Sequence, residues 1–247
     1  MGTVSSDALF HFTSQPDFLI GILQNEFQPR YCLESIDFKT KNIKVAFPMV
    51  CFCDIPLSQI KNHLDTYGYY GIGMKKSWAE KKKLNPILYL RQKSRLTEKI
   101  NMLFVNTQHN DFDNSALLKK SKEEIRDLLR YVKPYSGDFQ RTEKIIKDVI
   151  FYNEREWRYI PQLPNDKRYL KEDEFNDNLT RANANSAIQS FQLSFEPDDI
   201  KYVFVKKESE IPVMVAALKR IKSKYLPNTV EILTSRIMTC EQIINDF

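Results

Sequence analysis

The hydrophobic pattern opens with an aromatic run, Ala8–Thr13, in which Leu9 and His11 fall on one side of a short strand. A helix is expected next. Ser14 or Gln15 can cap it, Pro16 suits its first turn, and Phe18, Leu19, Ile22 and Leu23 give one apolar stripe. A strand over 31–33 and a polar loop to Lys44 lead to residues 47–53, apolar on both sides as in a buried strand. Asp54-Ile55-Pro56 starts a second helix with Leu57, Ile60 and Leu64 facing inward, and Gly68 is placed to end it. Residues 69–74 read as a strand, Ser77 can cap a short helix, and 87–90 read as a further strand.

From Lys93 to Tyr131 the period becomes helical, and Ile125, Leu128, Leu129 and Val132 have the spacing of a buried helix face. Residues 149–160 read as strand, because Trp157 and Tyr159 alternate with Glu156 and Arg158. The polar, Asn-rich stretch 161–186 reads as a long surface loop. The end reads as strand (201–205), helix (Ile211, Met214, Leu218, Ile221) and strand (229–234). Thr239 and Gln242 then form a capping box for a last helix. The order predicts one α+β domain over 1–247, with a helical insertion at about 93–146 and a C-terminal strand–helix–strand unit at about 200–247.

Composition narrows the chemistry. Lysine and arginine exceed aspartate and glutamate by 37 to 32 and the pI is about 8.8, less basic than a dedicated nucleic-acid binder. Lys75-Lys76, Lys81-Lys82-Lys83 and Lys119-Lys120 can meet phosphates or serve as solvated helix faces. The four cysteines include no Cys-x-x-Cys pair and the three histidines are isolated, so no metal site is expected. Cys51 and Cys53 fall on one side of a strand, as small core hydrophobes do. Gly2 with Ser6 matches a short myristoylation pattern, but no secretory signal and no apolar run of about 18 residues occurs. A cytosolic location without membrane insertion is the expectation. Walker A, G-x-G-x-x-G and G-x-S-x-G sequences are absent, which removes support for P-loop, Rossmann and serine-hydrolase readings.

What remains is a set of polar groups inside apolar strands. His11, with Thr13 beside it, is either a satisfied core histidine or one wall of a cleft. In Tyr67-Gly-Tyr-Tyr-Gly-Ile-Gly73 the glycines permit a sharp turn or close backbone approach, and the tyrosines offer flat faces with polar tips. A helix terminus followed by a crowded strand explains the same residues. Glu154 and Glu156, two positions apart on a strand, can together stabilise positive charge and orient a hydroxyl. Alternatively, Glu156 and Arg158 form an ion pair on an edge strand.

Leu9-Phe-His-Phe-Thr13, Met49-Val-Cys-Phe-Cys-Asp-Ile-Pro-Leu57, the Tyr67–Gly73 segment, Asn85-Pro-Ile-Leu-Tyr89 and Glu154-x-Glu-Trp-Arg158 resemble the AbiGi family of bacterial abortive-infection proteins. That resemblance implies a role in a two-gene phage-resistance system, in which this member is labelled the antitoxin and has a toxin partner. The same order of motifs is similar to that of NAD-dependent ADP-ribosyltransferases of the His–Tyr–Glu type. It implies their mixed sheet, NAD as a substrate, and a nucleic-acid or protein acceptor. On that likeness His11, with Thr13, would hold the adenosine ribose and Tyr67 or Tyr70 would stack on nicotinamide. Glu156 would meet the charge developing at the nicotinamide ribose, and Glu154 would orient the acceptor. His11, a tyrosine and Glu156 should then line one cleft.

Overall fold

The structure, a computed structural model, describes residues 6–38, 41–109, 116–141 and 144–246; Gly2 and the side chains of His109 and Lys119 lie outside the described residues. Strand β1 (Ala8–Thr13) and helix α1 (Pro16–Asn25) form where the pattern places them. Leu19 and Leu23 are buried, whereas Phe18 of the expected stripe is exposed. β2 (Arg30–Phe38) and β3 (Lys41–Cys53) make a long antiparallel hairpin in place of the expected polar loop. Its polar residues alternate with Ile36, Ile43 and Val45, which pack on a core, so the segment has a strand's period of two despite its polarity.

A short 3₁₀ turn precedes α2 (Lys61–Tyr67), and Ile60 and Leu64 are buried as expected. Gly68 ends the helix at φ +114°, where an added Cβ would meet the Thr13 carbonyl oxygen at 2.2 Å. β4 (Tyr70–Lys75), α3 (Lys76–Lys81), β5 (Asn85–Pro86) and β6 (Leu88–Leu90) follow. Helices α4 (Arg95–His109) and α5 (Ala116–Leu129) fill only part of the expected insertion. The rest is β7 (Val132–Pro134) and the hairpin β8 (Gly137–Arg141) and β9 (Lys144–Val149). Leu128 is 64% exposed and Leu129 2%. Adjacent positions on a helix point about 100° apart, so only one of the two leucines can face the core.

β10 (Glu156–Tyr159) is shorter than the expected strand, because residues 151–154 form a 3₁₀ turn. The stretch read as a loop holds β11 (Leu170–Lys171), α6 (Glu172–Asn176) and α7 (Asn178–Ser186). Acidic residues in the first turn of α6 suit its positive end, and Asp177 caps α7 by accepting from the Thr180 backbone N–H. β12 (Ile200–Val205) and α8 (Ile211–Ile221) agree with the pattern. The segment expected as a last strand is instead a helix, α9 (Pro227–Thr234), whose first turn takes the proline. The strand comes later, as β13 (Ile237–Thr239), and the Thr239–Gln242 capping box opens α10 (Cys240–Asp246).

These elements assemble an α+β structure on a mixed nine-stranded sheet. Its central order is β13-β12-β4-β1-β3-β10-β5, with β2 and β11 also pairing with β3. β12 and β13 are parallel and the other pairs are antiparallel. One face carries Leu9, Phe52 and Ile72 and is covered by α1, α3, α8 and α9 through Leu19, Leu23, Trp78, Met214, Leu218 and Leu233. The other carries Phe10, Phe12, Cys53 and Phe204 and is covered by α2 and α10 through Ile60, Leu64 and Ile243. Beyond β3 this second face continues under β7 and the end of α5, where Val132 and Leu129 meet Phe47 and Met49.

Candidate functional site

Register decides which of the sequence-selected residues can meet. Residues directly paired across antiparallel strands share a face, and neighbours along a strand alternate. Phe10 pairs with Cys53 and Cys53 with Glu156, so Glu156 lies on the face of Phe10 and α2. His11 lies on the opposite face, with its ring against Phe27 and Phe52 at 5.4 and 5.6 Å between centroids. The expectation of one cleft lined by His11 and Glu156 is therefore not met.

His11 Nδ1 donates to the Cys51 carbonyl oxygen at 2.8 Å. Burial lowers its pKa, and the bond to Cys51 only partly opposes this. Thr13 and Tyr70 are cross-strand partners on the same face as His11. The Tyr70 hydroxyl donates to Glu210 at 2.9 Å, and burial with that bond lifts its pKa to about 12. The first face thus holds His11, Thr13 and Tyr70, while Tyr67, Glu154 and Glu156 belong to the second.

On the second face Glu156 is 4% exposed. Its Oε1 accepts from Arg158 Nε at 2.6 Å and its Oε2 from Lys133 Nζ at 2.8 Å. Arg158, fully buried, also donates to Glu34 Oε1 at 2.5 Å and to the Arg130 carbonyl at 2.6 Å. Lys133 donates in addition to Glu154 Oε2 at 2.7 Å, and Glu154 Oε1 accepts from the Tyr67 hydroxyl at 2.6 Å. One continuous network therefore joins β2, β10, β7, the 3₁₀ turn before β10, and α2.

Burial acts against charge throughout this network, and at Glu156 and Lys133 the partners outweigh it. For Glu156, burial opposes ionisation, yet Lys133 and Arg158 outweigh it and hold the carboxyl below the usual range. For Lys133, burial pulls the pKa down and the Glu156, Glu154 and Glu34 carboxylates more than restore it. Glu34 goes the other way: its burial outweighs Arg158, and its pKa is raised. Burial, followed by the Glu154 charge, raises the Tyr67 hydroxyl.

Glu154 does not continue β10 as the alternation suggests. Arg155 adopts a left-handed conformation at φ 46° and turns the chain from the 3₁₀ segment into the strand. This turn brings Glu154 to the rim of an open groove of about 660 Å³ between α2 and the β8–β9 hairpin. His63, Tyr67, Phe139, Ile146, Ile150 and Tyr152 are among its lining residues, and the His63 and Tyr67 rings lie 4.4 Å apart. Ile146, Ile150 and Tyr152 are exposed.

NAD fits poorly in the arrangement expected from the motifs, because His11, Thr13 and Tyr70 face the opposite side of the sheet from Tyr67, Glu154 and Glu156, and both oxygens of Glu156 are occupied. Among the described residues no group of three His, Cys, Asp or Glu side chains is placed to hold a metal. Among the same residues no helix is long and apolar enough to cross a membrane. Sequence reasoning missed Glu34 and Lys133 as network members, since their segments read as loop and helical insertion. Charges that meet only in three dimensions leave no spacing to recognise.

The fold and site define a mixed α+β protein whose buried ion-pair network borders an open, partly apolar groove. Over residues 25–206 the chain matches the family described as "Putative abortive phage resistance protein AbiGi, antitoxin", and it belongs to that family. It is 28% identical over 248 residues to the abortive phage resistance protein AbiGi of Lactococcus lactis subsp. cremoris, covering 90% of this chain and 99% of the relative. No solved structure matches.

Proposed function

We propose that this chain serves phage defence as a binding protein that restrains a toxin partner. The observation that carries the reading is the state of Glu156, held in a buried double ion pair and separated from His11 by the sheet. A carboxylate so placed organises structure, and its rearrangement to meet a substrate would take one ionic partner each from the buried Lys133 and Arg158, leaving them only Glu154 and Glu34. The antitoxin description of the family supports the same reading. The groove between α2 and the β8–β9 hairpin supplies a mixed aromatic and aliphatic surface of the kind that partners cover.

The test is co-expression with the partner gene of its two-gene system. The parent chain should relieve the partner's toxicity and co-elute with it. Ile146→Arg with Ile150→Arg should lose both effects while the thermal melt stays unchanged. Relief of toxicity without any complex would sink the binding reading.

A second reading, transfer of ADP-ribose from NAD to a nucleic-acid or protein acceptor, draws on one observation: Tyr67 and Glu154 line the same open groove with His63 beside them. Nicotinamide release by the purified chain, abolished in Glu154→Gln, would carry it. No release with any acceptor would leave restraint of the partner as the function.

A further inference from the structure

A second cleft shares none of its lining residues with the groove beside Glu154. It has a volume of about 400 Å³ and is lined by Asp7, Lys75, Lys76, Ser77, Lys201 and Arg236. These residues come from the start of β1, the β4–α3 junction, β12 and the residue before β13. Two of them form the Lys75-Lys76 pair that the sequence offers either to phosphate or to solvent. The fold decides between those uses by adding Lys201 and Arg236, which are far away along the chain.

Four cations here face one carboxylate, and that carboxylate is weakly committed. Asp7 is 3.7 Å from Lys201 and its side chain is 94% exposed, so solvent screens most of their attraction. Lys76 is committed to structure: its Nζ donates to Asp54 at 2.8 Å and to the Ser6 carbonyl at 2.9 Å. One Arg236 nitrogen, Nη1, is held by the Pro197 and Ile200 carbonyl oxygens. Those bonds neutralise no charge and fix the guanidinium in place. Lys75, half-buried, has no ion-pair partner among the described residues. Lys76 keeps Asp54 as counter-ion and Lys201 has, among the described residues, only the exposed Asp7, so the cleft retains net positive charge that an entering anion offsets.

We propose that this cleft binds a phosphate-bearing ligand, with Lys75, Lys201 and Arg236 as its contacts and Lys76 as a fixed background charge. The arginine can meet phosphate with a fork of donors and the lysines as point charges. A cleft of about 400 Å³ suits a short run of phosphates, as in a nucleoside triphosphate, better than a long backbone track. The site is independent of the partner-binding reading, since it uses none of the groove residues.

Calorimetric titration of the full chain with tripolyphosphate tests it, with ATP and a short DNA duplex as parallel arms. Tripolyphosphate should bind, more weakly as salt is raised. Lys75→Glu with Lys201→Glu should weaken it by about tenfold or more, since each lost charge-assisted bond is worth a factor of this order. The double variant should melt like the parent. Arg236→Lys, which keeps the charge but loses the fork, should weaken binding less. If ATP binds and competes with tripolyphosphate, the source is a nucleotide. If the duplex alone competes, the source is a nucleic-acid backbone. Absence of tripolyphosphate binding, or binding unchanged in the double variant, overturns the proposal.

Discussion

The two faces of the sheet treat embedded polar residues in opposite ways. On the His11 face a single imidazole sits among Phe27 and Phe52, is satisfied by one backbone carbonyl, and has its pKa lowered by burial. On the Glu156 face three carboxylates and two cations share a network, and charge overcomes burial at Glu156 and Lys133, though not at Glu34. A lone neutral group needs one partner, while a buried charge needs several from different parts of the chain. The first kind is local and forgiving. The second ties the β7 segment, the β2 arm and α2 to β10.

This contrast can be broken by mutation, and Arg158→Ala should have the largest effect. It leaves Glu34 and Glu156 buried without their guanidinium and should cost about 3–5 kcal/mol in urea unfolding. His11→Leu should cost clearly less, and equal losses would erase the difference between the faces.

Glu156→Gln sharpens the comparison through pH. The native carboxyl is held below its ordinary range, so its contribution is full above the unfolded value of about 4.3 and is lost as pH falls below it. The variant should be less stable at neutral pH and should show a flatter acid limb when Tm is followed from pH 6 downward. Glu34, with its raised pKa, contributes with the opposite sign, so the parent's acid limb reports the difference between the two. An identical acid limb in parent and variant would show that Glu156 is not the group responsible.

Two smaller effects are expected, one at the edge of the network and one on α5 outside it. Tyr67→Phe removes one hydrogen bond to Glu154 and should cost about 0.5–1.5 kcal/mol by chemical denaturation. Leu128→Ala should change stability by no more than about 0.5 kcal/mol, because the residue is exposed. Leu129→Ala next to it should cost about 2–5 kcal/mol. A reversed order for the two leucines would mean that α5 presents its other side to the core.

Strong periodicity and end signals made much of the fold legible: β1, α1, β4, β12, α8 and the Thr239–Gln242 box all stand close to where the pattern puts them, while the helix expected from Asp54 begins as α2 only at Lys61, after a 3₁₀ turn. The β2–β3 arm was hidden by polar residues that occupy strand positions, and α9 by the β-branched Thr229, Val230 and Ile232, which resemble a strand until Pro227 is weighed as a helix start. Of the candidate site, the polar residues themselves were visible, but their grouping was not. Strand parity across β3 separates His11 from Glu156, and parity depends on the pairing of Phe10 with Cys53 and of Cys53 with Glu156, which no local pattern announces. Lys133 joins the site from β7, where it pairs with Tyr89 of β6.

The thirteen-residue strand β3 pairs with β1, β2, β10 and β11, so its neighbours come from residues 8 through 171. On the ribosome, one edge of this strand therefore stays open until Glu156 and the residues after it have emerged. The β2–β3 arm can form early from local sequence. Sheets that depend on such distant pairings fold in roughly milliseconds to seconds, and until then expose strand edges to other chains. Synthesis of this protein thus has a vulnerable interval whose length is set by how soon β10 reaches β3.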